Sequence, residues 1–198
     1  MGRVYEGIDE KLTTWLQAQP LFVVATAPLS ADGLVNCSPK GGVGSFVVLT
    51  STRVAYLDLT GSGVETIAHV RENSRITLMF MAFDGPPKIV RLHGHGHVLL
   101  AGSEPFNELV GRFPEHPGVR SIVVVDLTRI SDSCGFAVPL MDYQSDRDVL
   151  DLGSEAILNA LKDAGVRVSA TVVANEFNLR YWGEGISSHA ARNWLMGV

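Results

Sequence analysis

Cysteine is scarce. Cys37 and Cys134 are the only two in 198 residues, too few and too far apart for a disulfide framework, a zinc knuckle or a Cys-x-x-Cys redox pair. Both read as reduced, half-buried small residues. Positive charge is also short: 16 Lys and Arg stand against 21 Asp and Glu, a net charge of −5. No chain-wide positive field exists to draw nucleic acid or an anionic membrane surface, so any anion site has to be local. No apolar run reaches the roughly 20 residues that cross a bilayer. Arg3, Glu6, Asp9, Glu10 and Lys11 interrupt the stretch a secretory signal would need, and Met1 to Glu6 lacks the Ser or Thr of a myristoylation signal. The expected setting is the cytoplasm, with neither a membrane nor a nucleic acid as partner. Catalytic signatures are missing too. There is no Gly-x-Ser-x-Gly elbow, and Cys37 has no sequence-evident activating partner.

What is present is apolar material, 46% of the chain, enough for one domain with a substantial core. Ile8, Leu12, Trp15 and Leu16 recur at helical spacing behind Asp9 and Glu10, and Pro20 forbids continuation, so a short amphipathic helix opens the chain. β-branched runs follow at Leu21 to Ala27, Leu34 to Cys37, Ser45 to Leu49, Val54 to Leu59, Ile76 to Phe83, Ile89 to Leu100 and Ser121 to Ile130. Turn signals such as Ala31-Asp32-Gly33 and Asp84-Gly85-Pro86-Pro87 join them as an antiparallel meander. Helices are expected at Val64 to Glu72 and from Ser103 to about Gly111. The fold class is mainly β with flanking helices: a small antiparallel barrel, closed or nearly so. From Asp146 the pattern turns helical until Gly165, which divides the chain into a barrel over 1–145 and a helical appendage over 146–198.

Two segments suit an anion. Val54 to Thr60 runs as a strand into Gly61-Ser62-Gly63 and then a helix, whose first turn exposes N–H groups at the positive end of its dipole. Thr60, Ser62 and Thr66 add hydroxyls. Thr66 stands where a dinucleotide fingerprint needs its third glycine, so a Rossmann reading is rejected. In Asn36-Cys37-Ser38-Pro39-Lys40-Gly41-Gly42 a strand ends in a loop, where Lys40 offers a point charge to a phosphate and the glycines leave backbone bare for a flat ring. Each has a bland reading, a capped turn or a solvated lysine; together they suggest one phosphate held by two neighbouring loops.

Val35 to Gly41, Val54 to Gly63, Arg71 to Ile76 and Ser131 to Leu140, taken in this order, resemble the FMN-binding split-barrel family related to pyridoxamine 5′-phosphate oxidase. The resemblance covers roughly residues 8 to 148. It implies a homodimer with FMN at the subunit interface. Ser38, Pro39 and Lys40 would lie along the flavin and its phosphate tail. Leu57 and Asp58 would pass the ring edge by their backbone. Thr60, Ser62, Gly63 and Thr66 would hold the phosphate, and Arg91 with Leu92 would face the ring from the partner side. The arginine-rich, tryptophan-containing substrate segment of pyridoxamine phosphate oxidases is not recognisable after Asp146, and Gly63 and Val64 replace the basic pair that follows the serine in those enzymes. Pyridoxal phosphate synthesis is therefore not expected.

His93, His95 and His97 share one face of a strand. Successive members are spaced too widely to chelate a metal well, so no metal site is assigned, and Gly94 with Gly96 on the other face would admit a bulky ligand or a partner subunit. With no acid–base constellation, redox chemistry would reside in the cofactor. The leading expectation is an FMN-dependent oxidoreductase acting on a small or planar substrate. Alternatives are a deazaflavin coenzyme in the same cleft, a non-catalytic flavin or haem module, the histidine row favouring haem, and a pure interaction protein.

Overall fold

A computed structural model describes residues 2–60 and 63–163. Its centre is an eight-stranded antiparallel sheet. The strands are β1 (Val4–Tyr5), β2 (Leu21–Thr26), β3 (Asn36–Gly41), β4 (Phe46–Thr50), β5 (Arg53–Leu59), β6 (Arg75–Met81), β7 (Ile89–Leu100) and β8 (Val119–Ser133). Their order is β3-β2-β6-β7-β8-β5-β4, with β1 paired to β8. The expected meander holds for the β6, β7, β8 run and for the β2–β3 and β4–β5 pairs, but β2 pairs with β6 and β5 with β8. Helix α2 (Val64–Asn73) makes this long-range arrangement possible by carrying the chain between β5 and β6. Strands β3 and β4, consecutive in the chain, are the two ends of the sheet order, so the barrel is split between them rather than closed.

The strand alternation builds two cores. Phe22, Phe46, Tyr56, Leu78, Phe80, Leu92, Val123 and Val125 point inward. Phe22 stacks on Phe80 with centroids 5.0 Å apart, and Phe46 meets Phe80 edge-on at 4.8 Å. Helix α1 (Glu10–Gln17) adds Leu12 and Leu16 to this core; the Asp9 carboxylate caps it by accepting the Leu12 N–H at 2.7 Å. Helix α2 adds Val70. The second core lies on the outer side of β4, β5 and β8, where Val47, Ala55, Leu57, Ile122 and Val124 receive Phe106 from α3 (Glu104–Leu109) and Phe113. Across β2, β6 and β7 the matching outer positions, Val23, Ala25, Met79, Met81 and Ile89, are only half-buried.

Several expectations change. Strand β3 does not stop at Cys37 but continues to Gly41, which puts Ser38, Pro39 and Lys40 in the sheet. Pro39 is tolerated because β3 is an edge strand and needs no second row of N–H donors. Gly94 and Gly96 admit neither a ligand nor a partner: a Cβ on Gly96 would stand 3.1 Å from Val70, and one on Gly94 2.2 Å from the Asp126 carbonyl oxygen. The bare backbone serves the chain's own packing. Both cysteines are exposed rather than half-buried. Helix α4 (Val149–Asp163) starts after a segment without regular secondary structure and buries Ser154 and Ile157.

Candidate functional site

Alternation along β3 turns Asn36, Ser38 and Lys40 to the half-buried side and Cys37, Pro39 and Gly41 to the exposed side. The half-buried row faces α2. Asn36 Nδ2 donates to Thr66 Oγ1 at 2.8 Å, and Lys40 Nζ donates to Ser38 Oγ at 3.0 Å. Behind them Thr26 Oγ1 and His69 Nδ1 are 3.0 Å apart. This buried polar chain fixes the edge strand against the helix, so the reach of Lys40 toward the first turn of α2 is set by packing.

At that first turn lies a second buried pair. Arg120 Nε donates to Asp58 Oδ2 at 2.8 Å, with both side chains 1% exposed, and the Ser121 hydroxyl donates to the same oxygen at 3.0 Å. Consecutive residues of a regular strand point to opposite faces, yet Arg120 and Ser121 both reach Asp58. A register shift explains this: Asp58 pairs with Ser121 and Leu59 with Val119, so Arg120 is the extra residue of a bulge that turns its side chain inward.

Gly63 is the hub. A Cβ there would lie 3.0 Å from Asp58 Oδ1, 3.1 Å from Arg120 Nη2 and 3.5 Å from Lys40 Nζ. Gly63 is also the N-cap of α2, and among the described residues no side chain caps the helix. Two cations and one carboxylate therefore converge on the N-terminus of α2, a local excess of positive charge in an acidic chain. Burial pulls the Lys40 ammonium below the usual lysine value, Asp58 draws it back up, and Arg120 pushes it down again. Burial, and then Asp58, hold the Tyr56 phenol well above its ordinary value. Among the described residues, Tyr56 Oη and Asp58 Oδ1 are buried with no hydrogen-bond partner.

Of the expected site residues, the structure brings together Ser38, Lys40, Asp58, Gly63 and Thr66. Thr60 is close to them in the chain: its N–H donates to the Gly118 carbonyl at 2.9 Å, and Ser154 Oγ of α4 stands 3.5 Å from its hydroxyl. Thr66 is fully buried and engaged by Asn36. Pro39 faces the opposite way from Lys40, and Leu57 lies in the second core. Arg91 and Leu92 are on β7, Arg91 donating to Ser133 Oγ at 3.0 Å and Leu92 fully buried in the barrel. Ser62 lies outside the described residues. Arg120 was not foreseen; its place in an apolar run, Val119 to Val125, was the available signal, since a charge in such a run calls for a partner.

A cleft of about 1060 Å³ opens on the α1 side of the Gly41–Gly42 backbone, with Phe22, Phe46 and Phe80 among its lining residues. The histidine row lies on the outer face. His93 Nδ1 is 3.1 Å from Thr77 Oγ1, His95 Nδ1 is 3.0 Å from Ser74 Oγ, and His97 Nε2 is 3.0 Å from Asp126 Oδ2. Each imidazole is thus tied to a different neighbour. Among the described residues no helix is long and apolar enough to cross a membrane.

Residues 8–134 match the family model described as pyridoxamine 5′-phosphate oxidase. A protein of Aspergillus flavus, named pyridoxamine 5′-phosphate oxidase family protein ustO, is 42% identical over 145 residues, which cover 72% of this chain and 58% of that protein. The chain thus spans little more than half that relative's length. Among solved structures, HupZ of Group A Streptococcus is similar at 20% identity and a TM-score of 0.47, over 62% of this chain and 91% of that one. An FMN-binding protein of Syntrophomonas wolfei is similar at 15% identity and a TM-score of 0.43, over 62% and 86%. An FAD-binding protein of Mesorhizobium loti is similar at 12% identity and a TM-score of 0.45, over 67% and 96%.

Proposed function

Because the chain belongs to the pyridoxamine 5′-phosphate oxidase family, we propose that it binds FMN and acts as an FMN-dependent oxidoreductase on a small organic substrate. The observation that carries this is the meeting of Lys40 and Arg120 at the N-terminus of α2, closely packed around the bare Cα of Gly63. The donor set fits a phosphomonoester: two cations, one of them balanced by Asp58, beside backbone N–H groups at a helix start. The buried acceptor Asp58 Oδ1 and the Tyr56 phenol are further polar atoms available to a bound group.

In this reading Lys40 supplies charge to the phosphate, Ser38 orients Lys40, and Asn36 with Thr66 keeps β3 and α2 in place. The flavin would supply hydride transfer, and the chain would supply placement and shielding from water. The cleft beyond Gly41 and Gly42 has aromatic walls and ample room for a planar molecule. A homodimer follows from the same reading. Val23, Ala25, Met79, Met81 and Ile89 form an apolar sheet face with Arg91 among them, and a second copy would cover it. Exposed, unpaired Cys37 and Cys134 suit a reducing cytoplasm.

A deazaflavin coenzyme in the same place is the second reading, since Gly63 and Val64 bring no extra cations and leave the grip to Lys40, Arg120 and the backbone. Haem on the histidine row has less support, because all three imidazoles are already held by neighbours. The test is the absorbance spectrum and mass of the small molecule released when the purified protein is denatured. FMN mass and an oxidised-flavin spectrum support the proposal. Release of a deazaflavin or haem, or no rise in melting temperature with FMN added to colourless protein, refutes it.

A further inference from the structure

Just past the end of β5 the Thr60 N–H donates to the Gly118 carbonyl at 2.9 Å, which ties this strand end to the start of β8. Helix α4 packs onto that junction. Its Ser154 is fully buried and brings Oγ to 3.5 Å from Thr60 Oγ1. A Cβ on Gly118 would lie 2.7 Å from Ser154 Oγ and 3.1 Å from Thr60 Oγ1, so the bare backbone there lets helix and strand ends come this close. Ile157 is buried on the same helical face, with Leu150, Gly153 and Leu158 half-buried beside it, while Leu152, Glu155 and Asn159 are exposed. Among the described residues neither apolar core includes a residue of α4. The helix is laid against a barrel that has its own core.

This junction adjoins the proposed phosphate site twice over. Thr60 lies three residues before Gly63, the N-cap of α2, and Gly118 lies two before Arg120. The other walls are packed: Asp58 and Arg120 are buried, and Thr66 is held by Asn36 of β3 at 2.8 Å. Among the described residues of the site, Ser38, Lys40 and Gly63 are the ones left half-buried. A ligand tail that arrives past Lys40 therefore meets packed protein behind Gly63, and on the Thr60 side that packing is α4. A phosphomonoester can end there, whereas a phosphodiester has to continue into it.

We propose that α4, seated through Ser154, is the end wall of the phosphate site and makes it selective for a flavin that terminates in phosphate, excluding the dinucleotide FAD. The proposal rests on the FMN reading above and adds the element that limits it. Ser154 acts through Thr60 and Gly118 and is a positioning residue.

The test titrates the full chain, freed of any bound flavin, with FMN, FAD and riboflavin by fluorescence, and follows hydrogen exchange over residues 150–160 to report on α4. Wild type is expected to bind FMN about tenfold more tightly than FAD, or better. Ser154→Trp overfills the contact, and Ile157→Asp breaks the same helical face by a separate route. Each should speed exchange along α4 and narrow the gap between FMN and FAD to about threefold or less, with riboflavin affinity unchanged. Damage to the fold alone would weaken all three flavins together. Leu152→Lys, on the exposed side of the helix, should bind all three as wild type does. Equal affinity of wild type for FMN and FAD needs no variant to observe; it would overturn the end wall and leave the phosphate reading intact. Failure of wild type to bind any flavin would overturn both. An unchanged gap in a variant with fast-exchanging α4, a parallel loss of all three flavins in both variants, or α4 amides that stay protected in both would each overturn the end wall alone.

Discussion

Replacing Lys40 by methionine separates the two things this residue does. In the ligand-free protein its ammonium is mostly buried, so burial lowers its pKa relative to an unfolded lysine. Between the folded and unfolded values the unfolded chain binds more protons, and stability therefore rises with pH across that window; below it the burial cost is fully present. Lys40→Met keeps the apolar stem and removes that cost, so the variant should be as stable as wild type or more so, with a flatter dependence on alkaline pH. With ligand the sign reverses. A charge-assisted hydrogen bond to phosphate contributes about 1.5–3 kcal/mol, and at about 1.4 kcal/mol per tenfold its loss should weaken FMN roughly 10- to 150-fold. Riboflavin, which has no phosphate, should bind both proteins equally. Fluorescence titrations with FMN and riboflavin, paired with thermal melts, measure both effects. Phosphate is already largely dianionic above pH 7, so FMN affinity in wild type should fall as pH climbs toward the usual lysine value and stay level in the variant. An equal loss for FMN and riboflavin, or a destabilised variant with unchanged FMN affinity, would refute the assignment of Lys40 to the phosphate.

Three further outcomes are expected. Arg120→Met strands the buried Asp58 carboxylate and should cost about 3–5 kcal/mol, a fall in melting temperature of about 6–20 °C for a chain this size. The double variant Asp58→Leu/Arg120→Met should recover more than half of that loss, and calorimetry finding it no better than the single variant would count against a mutually dependent pair. Gly63→Ala is sterically allowed by its backbone, with φ at −55°, but its methyl would crowd Asp58 and Arg120. It should lower FMN affinity about tenfold and cost about 1–3 kcal/mol of stability, and a titration showing full affinity would remove Gly63 from the site. Gly94→Ala drives a methyl against the Asp126 carbonyl and should destabilise the barrel by roughly 2–3 kcal/mol or more; a denaturant midpoint unmoved from wild type would contradict that register.

The order of strands and helices could be read along the chain because strand alternation, glycine and proline punctuation and capping residues act within a few positions. Leu21 to Ala27 and Ile89 to Leu100 could hardly be anything but strands, and Lys40 and the turn before α2 stood out as the places for an anion. The boundary of β3 was misjudged because Pro39 is a strand breaker in general and acceptable only on an edge, and being an edge is a property of the sheet order. The two glycines of β7 were misread for a similar reason. Their bare backbone was visible, but α2 and β8, which fill the space, come from elsewhere in the chain.

What local sequence determined is therefore the set of elements, the apolar faces they bury and the residue types that suit a phosphate. Tertiary structure alone decided that Asp58 meets Arg120 across 62 positions and that a bulge turns that arginine inward. Those encounters depend on strand register, and a slip of one residue would move each side chain to the opposite face of the sheet.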